Sequence, residues 1–212
     1  MAKNVFISFR FHDGKDYKEK LVEELEKHDR IIDFSEDEDR SEYSEESIRK
    51  YLYGKIRRTS VTIILITKEA INHKKTGDKY DDWMYDEIRY SLEDREENRT
   101  SGLVAVYTKD AKDFLIEESK HTCDVCKTTK RCTTIKQVDN LFRKNMFNVK
   151  EEYKYNRCNN LYDSNYDHYC TLLSWEEFMD DIEKYIDIAY DKKENVNNYM
   201  LVVDLNKSKV GS

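Results

Sequence analysis

Proline is absent from this chain of 212 residues and glycine occurs only five times, an unusual scarcity in a sequence with so many loop-like stretches. With its abundant lysine, asparagine and tyrosine, the composition looks like the coding bias of a low-GC bacterial genome. The few glycines assemble no G-x-G-x-x-G fingerprint, which sets aside a Rossmann dehydrogenase by motif. Long hydrophobic runs are missing too. The longest lies within Val61 to Ile66, whereas a membrane-spanning helix needs about 20 apolar residues. The start Met1-Ala2-Lys3-Asn4 leads straight into a strand pattern rather than a signal peptide, so the expected location is the cytoplasm, with no membrane partner. Basic charge is short as well: 44 acidic residues against 37 basic give a formal charge of −7. No Lys/Arg stripe stands out, which sets aside binding to a nucleic-acid backbone as the main task. The five histidines, His12, His28, His73, His121 and His168, form no H-E-x-x-H set, and no G-x-S-x-G elbow marks a serine hydrolase.

What is present is a run of short periodic segments, in a chain long enough to bury one core. The expectation is a single domain over residues 1–210, with Gly211 and Ser212 a cloning remnant outside the fold. Lys3 to Phe9 reads as a central apolar strand, and Gly14 as a break in the loop after it. Tyr17, Leu21, Val22 and Leu25 then mark a helix over Lys15 to Lys27. Ile31 to Phe34 is a short second strand. The acidic run Glu36 to Glu46 is a solvated loop. Ser44 caps a helix that buries Ile48, Tyr51, Leu52 and Ile56. Val61 to Thr67 is a β-branched strand buried on both faces. Asp81 or Asp82 caps a helix to about Leu92 with a stripe of Met84, Ile88 and Leu92, Glu93 to Asn98 is a polar exit, and Leu103 to Tyr107 is the fourth strand. Strands alternating with helices predict an α/β fold of the flavodoxin-like kind, a central parallel sheet flanked by helices, with its site beyond the carboxyl ends of the strands.

Residues from about 108 to 172 break this rhythm. They bear the cysteines, are rich in Asn, Tyr and Lys, and read as an elaborated insertion. From Ser174 the pattern recovers in one helical stripe of Trp175, Phe178, Ile182, Tyr185, Ile186 and Ala189, with Ser174 as cap and Glu177 three residues on. Tyr199 to Leu205 is an edge strand or a tail.

Two segments carry chemistry. Phe6-Ile7-Ser8-Phe9 ends the first strand with Asp13 close behind, and Trp83-Met84-Tyr85-Asp86-Glu87 opens a helix on which Trp83 and Glu87 share a face one turn apart. An indole wall thus stands beside a carboxylate. In their order along the chain these segments resemble the Toll/interleukin-1 receptor (TIR) domain family. That family writes its first strand as F-I-S-Y/F followed by Asp, and its third helix as W-C-x-x-E; here Met84 replaces the Cys. Within it the chain is most similar to the ThsB group of bacterial Thoeris anti-phage defence, through Met1-Ala2-Lys3, Thr59-Ser60-Val61-Thr62, Trp83 to Ser91, and Leu141 to Asn148.

The resemblance implies a TIR fold and, for Glu87, the role of catalytic acid in cleaving the nicotinamide–ribose bond of NAD, the substrate. Phe9, Arg10 and Phe11, just after the first strand, would line the site, Phe9 stacking on a base and Arg10 pairing with the pyrophosphate. Trp83 and Asp33 complete the expected NAD-binding set. An ADP-ribose-derived signal, cyclic in form with hydrolysed or conjugated ADP-ribose as the alternatives, would activate a partner effector after a phage-derived trigger, and a self-association interface is the alternative to a merely solvated acidic loop. The competing reading is a TIR-like adaptor or nucleotide-sensing module that assembles without turnover. A phospho-accepting receiver domain is disfavoured, because the acidic pair expected after the first strand is missing.

Cys123-Asp124-Val125-Cys126 is a C-x-x-C knuckle, with His121 before it and Cys132, Cys158, His168 and Cys170 after it. In a cytoplasmic chain such spacing points to metal ligation more than to disulfides. A tetrahedral zinc site of Cys123, Cys126, Cys158 and either Cys170 or His168 would staple the insertion, against the alternative of free reduced thiols. A redox C-x-x-C is disfavoured, because it does not open a helix after a first strand.

Overall fold

The structure, a computed structural model, describes residues 2–35, 44–71, 83–94, 99–136, 140–156, 158 and 160–204. In the first half, β1 (Lys3–Ser8) leads into α1 (Phe11–Leu25), β2 (Ile31–Asp33), α2 (Glu45–Ile56), β3 (Val61–Ile66), a short α3 (Lys68–Ile71), α4 (Trp83–Leu92) and β4 (Gly102–Tyr107). The second half adds α5 (Lys112–Leu115), β5 (Ile116–Thr122), β6 (Thr129–Ile135), α6 (Asn140–Lys144), β7 (Cys170–Ser174), α7 (Trp175–Asp180) and α8 (Ile182–Glu194). Five strands form one parallel sheet in the order β2-β1-β3-β4-β7. This is the flavodoxin-like order, in which chain direction across the sheet reverses between β1 and β3. The crevice beyond the carboxyl ends of these two strands is where such folds bind ligands, and Ser8 and Ile66 end there.

Helices cover both faces. On one, Val5, Ile7, Val61, Ile63, Val104 and Val106 pack with Leu21 and Leu25 of α1 and with Phe178, Tyr185, Ile186 and Ala189 of α7 and α8. On the other, Ile64, Ile66, Leu103 and Ala105 meet Ile88 and Leu92 of α4 and Leu141 and Phe142 of α6, while Phe6 packs on Leu52 and Ile56 of α2. The six residues of β3 are all buried, as a central parallel strand requires. The Ser44 and Ser174 hydroxyls cap α2 and α7, accepting the N–H groups of Ser47 at 3.3 Å and Glu177 at 3.1 Å.

Three expectations change, and a fourth is decided between its two alternatives. Helix α1 begins at Phe11, so Gly14 lies inside its first turn rather than in a loop; a Cβ there would stand 3.3 Å from the Phe9 ring. The final helix is two helices, broken at Asp181 (φ −153°, ψ 69°), whose carboxylate accepts the Lys184 N–H at 3.3 Å to start α8. The buried stripe runs on across the break, so its period did not reveal it. The sheet resumes at Cys170, inside the span read as insertion. Tyr199 to Leu205 is no strand as far as Asp204: Tyr199 makes one isolated bridge to Val149. Asn145 and Asn148 fasten the residues after it. The Asn145 amide donates to the Val202 carbonyl at 2.7 Å and its oxygen accepts the Val202 N–H at 2.9 Å, while Asn148 Nδ2 donates to the Met200 carbonyl at 3.2 Å. The proposed Asp81 or Asp82 cap, most of the acidic run and Gly211-Ser212 fall outside the described residues.

Close helix-to-sheet packing generates a first prediction. At the start of β4 a Cβ on Gly102 would overlap the Ala189 carbonyl of α8, whereas at Gly54, inside α2, nothing lies within 4 Å. Gly102→Ala should therefore lower the urea midpoint sharply, and Gly54→Ala should raise stability by about 0.5–1 kcal/mol through helix propensity. Equal effects of the two changes would contradict the packing. A second concerns Lys192, buried on α8 and donating to the Thr171 hydroxyl. Burial lowers its ammonium pKa to about 7. Below its unfolded value the unfolded chain binds a proton that the folded chain refuses until about pH 7, so stability falls as pH drops across that window. Lys192→Met should abolish this slope between pH 10 and pH 7 in thermal denaturation; an unchanged slope would count against it.

Candidate functional site

The site grows from strand alternation. Phe6 points to the face covered by α2, and Ser8, two residues on, points the same way at the strand's end. There it meets α4: the Ser8 hydroxyl donates to Glu87 Oε2. Both groups are buried, Ser8 at 2% and Glu87 at 9% exposure. A carboxylate this enclosed needs donors, because burial without them costs several kcal/mol. Helix α4 is held in register one turn further on, where Ser91 Oγ donates to the Glu87 carbonyl and lies 2.8 Å from Thr62 Oγ1 of β3. Ile88 and Leu92 press the helix on the sheet. The outer side of α4 is tied by charge: Arg49 Nε lies 3.1 Å from Asp86 Oδ2, and Arg89 reaches Asp86 and Glu93.

The segment after β1 is bound to α3. Arg10 Nη1 donates to the Glu69 carbonyl at 2.9 Å, and Asp13 Oδ2 accepts the Glu69 N–H at 3.0 Å. Asp13 Oδ1 is buried without a hydrogen-bond partner among the described residues. Phe9 packs partly buried against the core. Asp33 is engaged at the end of β2, where its Oδ1 accepts from the Ser35 N–H at 2.8 Å and from the Ser35 hydroxyl, which in turn accepts the Ile7 N–H at 2.9 Å. It shapes the neighbouring loop. Phe11 and Trp83 begin α1 and α4, and their side chains lie outside the described residues.

Ser8 and Glu87 thus meet at the carboxyl end of β1, and Arg10 and Asp13 lie on the segment that follows it, tied to α3 after β3. Sequence reasoning named Glu87 and Arg10 as site residues and missed the partner, Ser8; the signal was a hydroxyl closing an otherwise apolar strand. The tie from Asp13 to Glu69 was invisible, since α3 carried no periodic signal.

A flavodoxin-ordered sheet with an acid of α4 turned to the end of β1 is the arrangement that the resemblance to TIR domains implies. A family model described as Thoeris protein ThsB, TIR-like domain, matches residues 6–113. The match spans just over half of the chain, and the chain belongs to that family. It takes in both motif segments and stops before the cysteine-bearing hairpin.

In that hairpin, β5 and β6 pair antiparallel from Ile116↔Ile135 to Thr122↔Thr129. The structure brings together Cys123, Cys126 and Cys158, whose Sγ atoms lie within 4.8 Å of one another and could hold a metal ion. Hydrogen bonding by Thr128 holds the Cys126 thiol down to about 7. Cys170 is not with them: it is buried in β7 opposite Leu103. His168 also stands apart, its ring 4.1 Å from that of Phe147 and its imidazole lowered to about 3 by burial. Either as fourth ligand is therefore corrected by placement. Among the described residues no helix is long and apolar enough to cross a membrane.

The contact between Ser8 and Glu87 is testable by stability alone. A double-mutant cycle of Ser8→Ala and Glu87→Ala, followed by urea unfolding, should return a coupling of about 1–3 kcal/mol, the value of a hydrogen bond to a charged group. Additive losses would remove the bond from the account.

Proposed function

We propose that this chain is a TIR-type NAD-processing enzyme that cleaves the nicotinamide–ribose bond and makes an ADP-ribose-derived, cyclic signal for a partner effector in anti-phage defence. One observation carries the reading: the Glu87 carboxylate is enclosed at the β1/β3 switch point and oriented by the Ser8 hydroxyl. Departure of neutral nicotinamide leaves an oxocarbenium-like ribosyl cation, and a preorganised carboxylate in a crevice shielded from water stabilises that charge. Glu87 supplies the charge and holds the ribose hydroxyls. Ser8 fixes which carboxylate oxygen faces them, so the group needs little reorganisation as charge develops. The bond broken is the glycosidic C–N bond, whose electron pair leaves with nicotinamide; the new bond goes to water, giving ADP-ribose, or to an atom of the same molecule, giving a cyclic product.

Around this centre, Phe9 offers aromatic surface to the bases, and Phe11 and Trp83 are the further aromatic candidates by their places in the two motif segments. Arg10, on the crevice rim, pairs with the pyrophosphate, while Asp33 acts at one remove by fixing the loop after β2. The effector is reached through the diffusible product, and a phage-derived trigger and self-association complete the expected system. The cysteine group stands outside this chemistry, as a structural zinc site.

The test compares the wild-type chain with Glu87→Gln, in purified form and in lysates with and without phage, following NAD, nicotinamide and ADP-ribose products by mass spectrometry. Glutamine keeps an acceptor for Ser8, so folding should hold while nicotinamide release falls by about 10²–10³-fold, as for loss of one electrostatic group. Turnover unchanged by Glu87→Gln would sink the assignment of the acid. NAD left intact by the folded wild-type chain in every condition would favour the non-catalytic adaptor.

A further inference from the structure

We propose that Cys123, Cys126 and Cys158 bind one zinc ion as thiolates, with His121 as fourth ligand, and that this ion fastens the β5–β6 hairpin to the segment around Cys158. The inference is independent of the NAD chemistry. Its first support is geometry. Tetrahedral zinc with bonds of about 2.3 Å separates its sulfurs by about 3.8 Å. Cys123 Sγ and Cys158 Sγ lie 3.6 Å apart, near that edge and far beyond a disulfide bond of about 2.05 Å.

The backbone is arranged to hold the sulfurs there. Cys123 N–H donates to the Thr128 carbonyl at 2.9 Å and Lys127 N–H to the Cys123 carbonyl at 2.9 Å. Lys127 adopts a left-handed φ of 56°, which wraps the turn so that Cys123 and Cys126 face one point. Cys158, 35 positions from Cys123, is fixed independently. Its N–H donates to Asn156 Oδ1 at 3.0 Å, and its carbonyl accepts from Lys154 Nζ at 3.1 Å and from the Leu161 N–H at 3.0 Å.

Stability supplies the need. After Ile116 every residue of β5 is exposed, and a two-stranded hairpin without an apolar face is marginal in water. A metal bridging its tip to a distant segment supplies the missing tertiary link. His121 is exposed two residues before Cys123, on the same face by strand alternation but outside the present sulfur group, so its ligation requires the imidazole to turn toward the ion. Cys132 is excluded by register: it pairs with Ser119, four residues or about 13 Å of strand from Cys123.

The experiment uses the full chain grown with zinc and purified without chelator. Metal analysis should find one zinc per chain. Replacement by cobalt should give thiolate-to-cobalt charge transfer in the near ultraviolet and strong visible bands of tetrahedral cobalt. Cys126→Ser, at an exposed position, should lose the metal and open the hairpin to limited proteolysis while circular dichroism persists. Cys170→Ser should keep the metal, and His121→Ala should release it to a lower chelator concentration. Zinc below about a tenth per chain in the wild type, full zinc in Cys126→Ser, or a reducible Cys123–Cys158 disulfide would overturn the site. A chelator response unchanged in His121→Ala would overturn the fourth ligand.

Discussion

The hydrogen bond from Ser8 to Glu87 is the constraint on which the rest of the site depends. A carboxylate enclosed between a helix and a strand end is unstable unless a donor meets it. That donor is set by the final residue of β1, so the strand must end there and the helix must present its acid there. Several features serve that fit: Phe6 seats the strand on α2, Ile88 and Leu92 seat α4 on β3 and β4, and Ser91 with Thr62 fixes α4 along its axis. Sheet order does the remainder, because the reversal between β1 and β3 leaves a crevice where these ends meet.

The second half of the chain completes that scaffold from a distance. Strand β7 closes the sheet beside β4, and α8 packs so closely that Gly102 has no room for a side chain. Asn145 and Asn148 tie the residues after Tyr199 back to α6, so a segment without strand pairing of its own is still held through side-chain amides. The β5–β6 hairpin is the exception. It is rooted by Leu115 and Ile116 in the core below α4 and projects exposed from there, which leaves its tip in need of a link of another kind.

Much of this was legible in the sequence, for physical reasons that can be named. Central parallel strands are apolar on both faces, so β1, β3 and β4 stood out, and the serines before α2 and α7 announced their caps. Glu87 was legible because its spacing from Trp83 matched a known motif. Ser8 was not, since its role exists only once a strand and a helix 79 positions apart are brought together. The hairpin was hidden because exposed strands show no apolar alternation, and the break at Asp181 because the buried stripe continues through it. Cys170 misled for a similar reason: spacing along the chain does not distinguish a thiol packed in a sheet from one facing a metal.

The central claim is that the carboxylate at the end of β1 acts on the ribose of NAD. Its most direct test is a crystal structure of the wild-type chain with carba-NAD, in which a methylene replaces the ring oxygen of the nicotinamide ribose, so that no oxocarbenium ion can form and the C–N bond stays intact. The account predicts the ribose hydroxyls within hydrogen-bond distance of Glu87 and the pyrophosphate beside Arg10. A ribose bound away from Glu87, or a crevice that stays empty at saturating ligand, would contradict it.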